Sequence, residues 1–216
     1  MTVALLRDAP VGGTGIEAWL LTRVAQMVFA AGMTVFPGGG CEPRDGEVPI
    51  AGSAAFTAAR FGCTEDEARM LLGTAVREVS EETDVLLTDT VELRPFARWV
   101  TPPSEARRYD TRFFLAELPA GAQPRDITTE SSIAAWIGAG DALAELAQGA
   151  RFMLPPTRVT LEWLAGFASV KAALAAVDLQ PIRHERPTTV YGDGHTHTTL
   201  ADGRVIKTHR PDRPQK

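Results

Sequence analysis

Cysteine is nearly absent, with Cys41 and Cys63 the only two in 216 residues. Neither lies in a CxxC or Cys/His ligand spacing, which argues against a disulfide framework or a structural zinc site and points to reduced thiols in a cytoplasmic setting. Also missing is any apolar run near the roughly 20 residues of a membrane span. The short apolar stretch in MTVALLRDAPVGGTG is too brief for a signal sequence, so no membrane partner is expected. Basic charge is not in excess either: a formal net charge of −5 leaves no large footprint for DNA or RNA, while a local basic pocket for a small phosphorylated ligand stays open.

What is present is an ordinary globular composition, 44% hydrophobic and 23% charged, enough for one sizeable core. Segments 17–23 (EAWLLTR) and 33–36 (MTVF) have the apolar, partly β-branched character of strands, the second halted by Pro37 and followed by the turn FPGGG. Residues 41–63 are mixed and loop-like, with a short helix expected around 53–60. Thr64 and Glu67 form a capping-box pattern, so a helix is expected to start there. Strands are expected at 91–100, 108–118 and, more weakly, 131–137. Helices are expected at 139–148 and 156–177, the latter opened by Pro155 and Pro156. After Asp178 the turn signals GDG and ADG, with few large apolar residues, suggest a hairpin or a loosely packed tail.

The stretch AVREVSEETDV, residues 75–85, carries Glu78, Glu81, Glu82 and Asp84. On a helix from Thr64, the residues Ala68, Leu71, Leu72, Ala75 and Val79 recur at the spacing of one buried face. At about 100° per residue from Ala68, Glu78 falls near 280° and Glu82 near 320°. Both continue the margin of the apolar stripe, whereas an ordinary solvated acid face would lie opposite it. Carboxylates at a core margin must be paired, hydrogen-bonded or metal-bound. Glu78 and Glu82, one turn apart, could share a hard divalent cation, with Glu81 joining from near 220°. Arg77, four residues before Glu81, could equally form a plain surface ion pair with it.

Turn and helix together resemble the Nudix box, a loop-helix-loop of Gly, an acid, a spacer and Arg-Glu-apolar-x-Glu-Glu-x-Gly-apolar. Gly39 and Asp45 match its front, and Arg77 through Val85 match its back, with Asp84 in place of the closing Gly. Asp45 stands where Glu is usual, and the spacer to Arg77 is unusually long. Long spacers are a feature of the coenzyme A and acyl-CoA diphosphatase branch, which Leu20-Leu21-Thr22-Arg23, FPGG, RYDTRFFLAELP, the Glu130 and Trp136 pair and FMLPPTRVTLEWL also resemble. The likeness spans about residues 17–165.

The resemblance implies an α/β fold of the three-layer α/β/α type around a mixed sheet, over 1–178 with an insertion at about 46–63 and a separate C-terminal hairpin or tail at 179–216. It implies Mg²⁺ or Mn²⁺ held by Glu78, Glu81, Glu82 and the Gly38 carbonyl, with Arg77 orienting the carboxylates and the base left open between Glu81 and Glu130. Arg23, Gly39 and Arg112 fall to substrate binding. The activity implied is hydrolysis of the diphosphate in a nucleoside diphosphate linked to another moiety, CoA or acyl-CoA first, ADP-ribose or a dinucleotide next, and a homodimer fits the family. A binding module that has lost turnover is the rival from another class, because Asp84 forfeits the glycine that a positive-φ turn favours.

Two other groups stand out. Arg107, Arg108 and Arg112 flank a strand and could meet a phosphate, or could simply protect a basic edge strand. His195 and His197, without a third ligand in view, are given no role.

Overall fold

The computed structural model describes residues 1–24, 31–88, 91–105, 107–127, 131–192 and 194–209. Among the described residues seven strands form one mixed sheet: β1 (Thr2–Asp8), β2 (Ile16–Arg23), β3 (Thr34–Val35), β4 (Arg94–Val100), β5 (Asp110–Glu117), β6 (Ser131–Gly138) and β7 (Arg183–Glu185). Their order is β3-β2-β1-β5-β4-β7, with β6 on the other edge of β2. The β1/β5 and β4/β7 pairs are parallel and the rest antiparallel. Pro95 sits inside β4 beside a bulge, the register with β5 shifting between Pro95 and Ala97, one of the places where a strand tolerates proline.

Helices cover both faces. On one lie α1 (Ala54–Phe61) and α2 (Glu65–Thr83), over Val3, Leu5, Phe114 and Ala116. On the other lie α3 (Ala139–Ala147), α4 (Pro155–Leu164) and α5 (Val170–Asp178), over Ala4, Leu6, Phe113 and Leu115. The layering is therefore the α/β/α arrangement expected. Among the described residues no helix is long and apolar enough to cross a membrane.

Strand β1 was not foreseen. Its apolar run Val3-Ala4-Leu5-Leu6 is fully buried, alternate residues feeding opposite cores, so the polar-apolar alternation that betrays a one-sided strand is missing. The single helix expected over 156–177 is two. α4 ends at Leu164, and α5 restarts with the Ser169 hydroxyl accepting from the Ala172 amide. The apolar spacing runs on through the break, which hid it. Strand β7, with no apolar run to mark it, was also missed. Beyond it, β8 (Thr188–Gly192), β9 (His195–Thr199) and β10 (Val205–His209) form an antiparallel meander, from which Leu200 and Ile206 enter the α3–α5 core.

Candidate active site

Helix α2 is fixed first at its N-terminus. The Thr64 hydroxyl accepts from the Glu67 amide at 3.2 Å and the Glu67 carboxylate accepts from the Thr64 amide at 2.9 Å, closing the capping box. Ala68, Leu72, Ala75 and Val79 are wholly buried beneath it. Each large side chain such as Leu72 contributes about 1.5–3 kcal/mol. With that face committed, the carboxylates take the exposures the helical wheel implies: Glu78 and Glu82 half-buried, Glu81 exposed.

The helix ends at Asp84, whose φ of 60° and ψ of 18° are left-handed. It is the only positive-φ residue other than glycine among those described. Its carboxylate pairs with Arg125, whose own amide donates to the Thr83 carbonyl at 2.8 Å. Aspartate is one of the few residues that enters this region readily, so the turn is kept without glycine.

The chain from β3 turns at Pro37-Gly38-Gly39 against the start of β1, the Val3 amide donating to the Pro37 carbonyl at 2.9 Å. Gly38 has φ of 154°, and a Cβ there would stand 2.3 Å from the Met1 carbonyl oxygen. At Gly39 a Cβ would stand 2.1 Å from Glu78 Oε1. The Gly38 amide donates to Glu82 Oε2 at 2.8 Å. Two carboxylates one helical turn apart thus meet two consecutive glycines.

Arg77 ties this turn to residues preceding the long spacer. Its Nε donates to Asp45 Oδ1 at 2.6 Å, a second nitrogen donates to the Gly40 carbonyl at 2.9 Å, and the third lies 2.9 Å from both Glu78 and Glu81. Asp45 is completely buried within a 3-10 turn at Pro43–Glu47. Burial alone would raise its pKa, but hydrogen bonds from Arg77, the Glu42 amide and the Thr74 hydroxyl win and hold it at about 2. The same contact with Asp45 is the main reason Arg77 is held above its ordinary value. Glu78, unlike Asp45, is pushed up: its burial raises the carboxyl, against the opposing charge of Arg77.

Gly73 and Thr74 were missed as part of this assembly. A Cβ on Gly73 would lie 1.9 Å from the Asp45 carbonyl oxygen, so a glycine that ordinarily weakens a helix interior is what admits Asp45. Nothing in a single sequence marks that approach.

Because β1 and β5 run parallel, β2 antiparallel to β1, and β4 antiparallel to β5, one end of the sheet gathers the Gly38–Gly39 turn, Arg23 at the end of β2 and Arg112 near the start of β5. Arg112 pairs with Asp110 and stands 5.9 Å from the Phe61 ring centroid. Glu130 lies outside the described residues. His195 lies opposite Gly192 and His197 opposite Val190 in the meander.

The donors suit a hard divalent cation in kind: carboxylates at i and i+4 and carbonyls of a glycine turn, with the space above Gly39 filled by the Glu78 carboxylate itself. Their oxygens are engaged here by Arg77 and the Gly38 amide. Among the described residues no three Asp, Glu, His or Cys side chains gather into a ready cation cage.

No family model matches the sequence, and no curated protein does. A Nudix hydrolase from Alicyclobacillus acidocaldarius has a similar solved structure, with a TM-score of 0.67 at 24% identity over 83% of this chain and 96% of that one. An Ap4A hydrolase from C. elegans (TM-score 0.42, 17% identity, 77% and 98% covered) and a Nudix hydrolase from M. smegmatis (0.45, 15%, 76% and 81%) are too remote in shape to add weight. On the first of these likenesses, the chain has the fold of a Nudix hydrolase.

Proposed function

We propose that this protein is a divalent-cation-dependent hydrolase of the diphosphate in a nucleoside diphosphate linked to another moiety, with CoA or acyl-CoA as its first substrate class. The observation that carries the reading is the clamp of Gly38 and Gly39 between Glu82 and Glu78, held from behind by Arg77 on a buried Asp45. Glu78, Glu82, Glu81 and the Gly38 carbonyl would hold Mg²⁺ or Mn²⁺. When bound, such a cation supplies positive charge to the diphosphate and activates water for attack.

The chain's own part is positional and proton-handling. The glycine turn lets the substrate phosphates approach backbone closely. Arg77 positions Glu78 and Glu81. Glu81, exposed beside the turn, takes the proton of the attacking water, with Glu130 the other residue for that role. Arg23 and Arg112, at the same end of the sheet, bind the substrate beyond the diphosphate. The closing turn is intact at Asp84, which removes the motive for a chain without turnover.

The test is chromatographic product analysis of purified protein with Mg²⁺ or Mn²⁺ on a panel of such diphosphates. Release of 3′,5′-ADP and a phosphopantetheine supports CoA, and AMP with ribose 5-phosphate redirects the assignment to ADP-ribose. No release from any member overturns the hydrolase, and turnover unchanged by Glu82→Gln overturns the cation site assigned to Glu82.

A further inference from the structure

Residues 101–103 and Arg108 and the corner where β7 passes to β8 enclose an open pocket of about 350 Å³, away from the α2 turn. Arg98, Arg108, Asp110 and Arg186 line it, walled by Pro102 and Pro187. Three guanidiniums against one carboxylate leave it at +2 in a chain of net charge −5. The carboxylate is already committed: Asp110 is held by Arg98 Nε at 2.9 Å and by a second Arg98 nitrogen at 2.6 Å, and it also pairs with Arg112. That arrangement has a structural reason, since Arg98 and Arg112 stand directly opposite in β4 and β5 and like charges there need a bridge.

The other two arginines are not accounted for by folding. Arg108 uses its Nε on the Thr101 carbonyl at 3.1 Å, and its remaining nitrogens have no ion pair among the described residues. Arg186 is exposed and makes no hydrogen bond or ion pair there. The local field is positive enough to reach the neighbouring imidazole: His184, register partner of Arg98, is held below its usual value by desolvation and then by Arg98, Arg112 and Arg186. Prolines fix φ on both walls, so little ordering is left for a ligand to impose. Guanidinium forks match phosphate oxygens with paired hydrogen bonds, and a doubly charged anion matches the surplus.

Position supplies the rest. Arg98 on β4 lies across from Arg112 on β5, and β5 pairs with the start of β1, which the Gly38 turn touches. Two strand spacings, roughly 10 Å, therefore separate the pocket from the α2 turn along one end of the sheet. We infer that the Arg98–Arg108–Arg186 pocket binds a phosphomonoester dianion carried by the substrate itself, remote from the diphosphate that lies at α2. The site selects nucleotides bearing a phosphate on the ribose over those without one. It rests on the proposed hydrolase reading only for where the diphosphate sits.

The test is calorimetric binding of 3′,5′-ADP and 5′-AMP, which differ by one phosphomonoester, to the full chain. Wild type binds 3′,5′-ADP at least tenfold more tightly. In the double variant Arg108→Ala/Arg186→Ala the preference falls below threefold, while affinity for AMP and the thermal midpoint are kept. Equal affinities in wild type, or a preference that survives the double variant, overturn the pocket. So does inorganic phosphate that binds wild type and not the double variant in the absence of any 3′,5′-ADP preference, since the pocket then serves a free anion. The readout is binding, so a protein with the preference and no turnover refutes the hydrolase alone. A protein with turnover and no preference refutes the pocket alone.

Discussion

The two ends of the sheet both carry acids, and they treat them differently. At the end opposite the glycine turn, an open groove of about 470 Å³ is lined by Glu17, Asp141 and Glu145 beside Trp136. Glu17 has its own partner in Arg7, at 2.6 Å, and that guanidinium also stacks 4.4 Å from the Trp136 ring centroid. Glu145 has Arg151 at 2.7 Å. At the α2 end, the Arg77 guanidinium is shared by Asp45, Glu78 and Glu81, with Arg44 farther off at 3.5 Å from Glu81. Two of the groove's three acids thus have a guanidinium of their own, whereas at the α2 end the buried Asp45 and the half-buried Glu78 depend on the same one. How the cations are divided among the carboxylates, more than the number of carboxylates, separates the two ends.

Removing the shared cation should break the contrast most. Arg77→Ala strands a fully buried Asp45, and loss of one partner from a buried pair costs about 3–5 kcal/mol. Arg151→Ala loses a partly exposed pair and a hydrogen bond to the Thr34 hydroxyl, and should cost about 1–2 kcal/mol. Urea unfolding of the two variants measures the gap, and equal losses would erase the distinction.

Next in size is the effect on turnover. Glu78→Gln keeps the shape of the side chain and removes its charge at the turn, and turnover of the best substrate should fall by about 10²–10³-fold. Glu145→Gln in the groove should leave it unchanged. Steady-state rates on the same substrate compare them directly.

Acid should act through Asp45. Its folded pKa of about 2 lies below the ordinary value near 4, so its contribution to stability is complete above about pH 4 and fades as pH falls toward 2. The unfolding free energies of wild type and Asp45→Asn should converge by about 2 kcal/mol over that window. Parallel curves would mean that Asp45 does not titrate low.

Asp84→Gly should be the mildest change. It relieves a left-handed non-glycine residue and loses an exposed ion pair with Arg125, terms that offset to within about 1 kcal/mol, with turnover unchanged. A large gain in turnover would show that Asp84 limits activity.

How much of this was legible depended on whether the signal was local. The cap at Thr64, the buried stripe of α2 and the margin position of Glu78 and Glu82 follow from spacing alone, and the fold places them as the wheel does. Asp45 could be matched to the front of a motif, but its burial against Thr74 and Arg77 required the chain to return after a long excursion. Gly73 was illegible, since a glycine inside a helix reads only as a weak point until the Asp45 carbonyl is seen where its Cβ would be. β1 was hidden by being buried on both faces, and the α4–α5 break by an apolar rhythm that does not stop where the hydrogen bonds do. The pocket at Arg98, Arg108 and Arg186 joins residues nearly ninety positions apart, beyond any local pattern.

The approach of Asp45 to Gly73 also makes the 18 residues from 46 to 63 a closed detour. The chain leaves the site at Asp45, builds α1 on the same face of the sheet and re-enters α2 at Thr64, 13 residues before Arg77. Both ends of the detour are pinned by contacts that do not involve its interior. Closing such a loop costs entropy that grows only with the logarithm of its length, about 0.6 kcal/mol for each doubling. Length is therefore nearly free to vary in the parts of the segment outside α1, whose Phe61 is buried in the core, and with it the sequence distance between the two halves of the clamp. The Asp45–Arg77 contact acts as the ruler that a fixed spacer would otherwise provide.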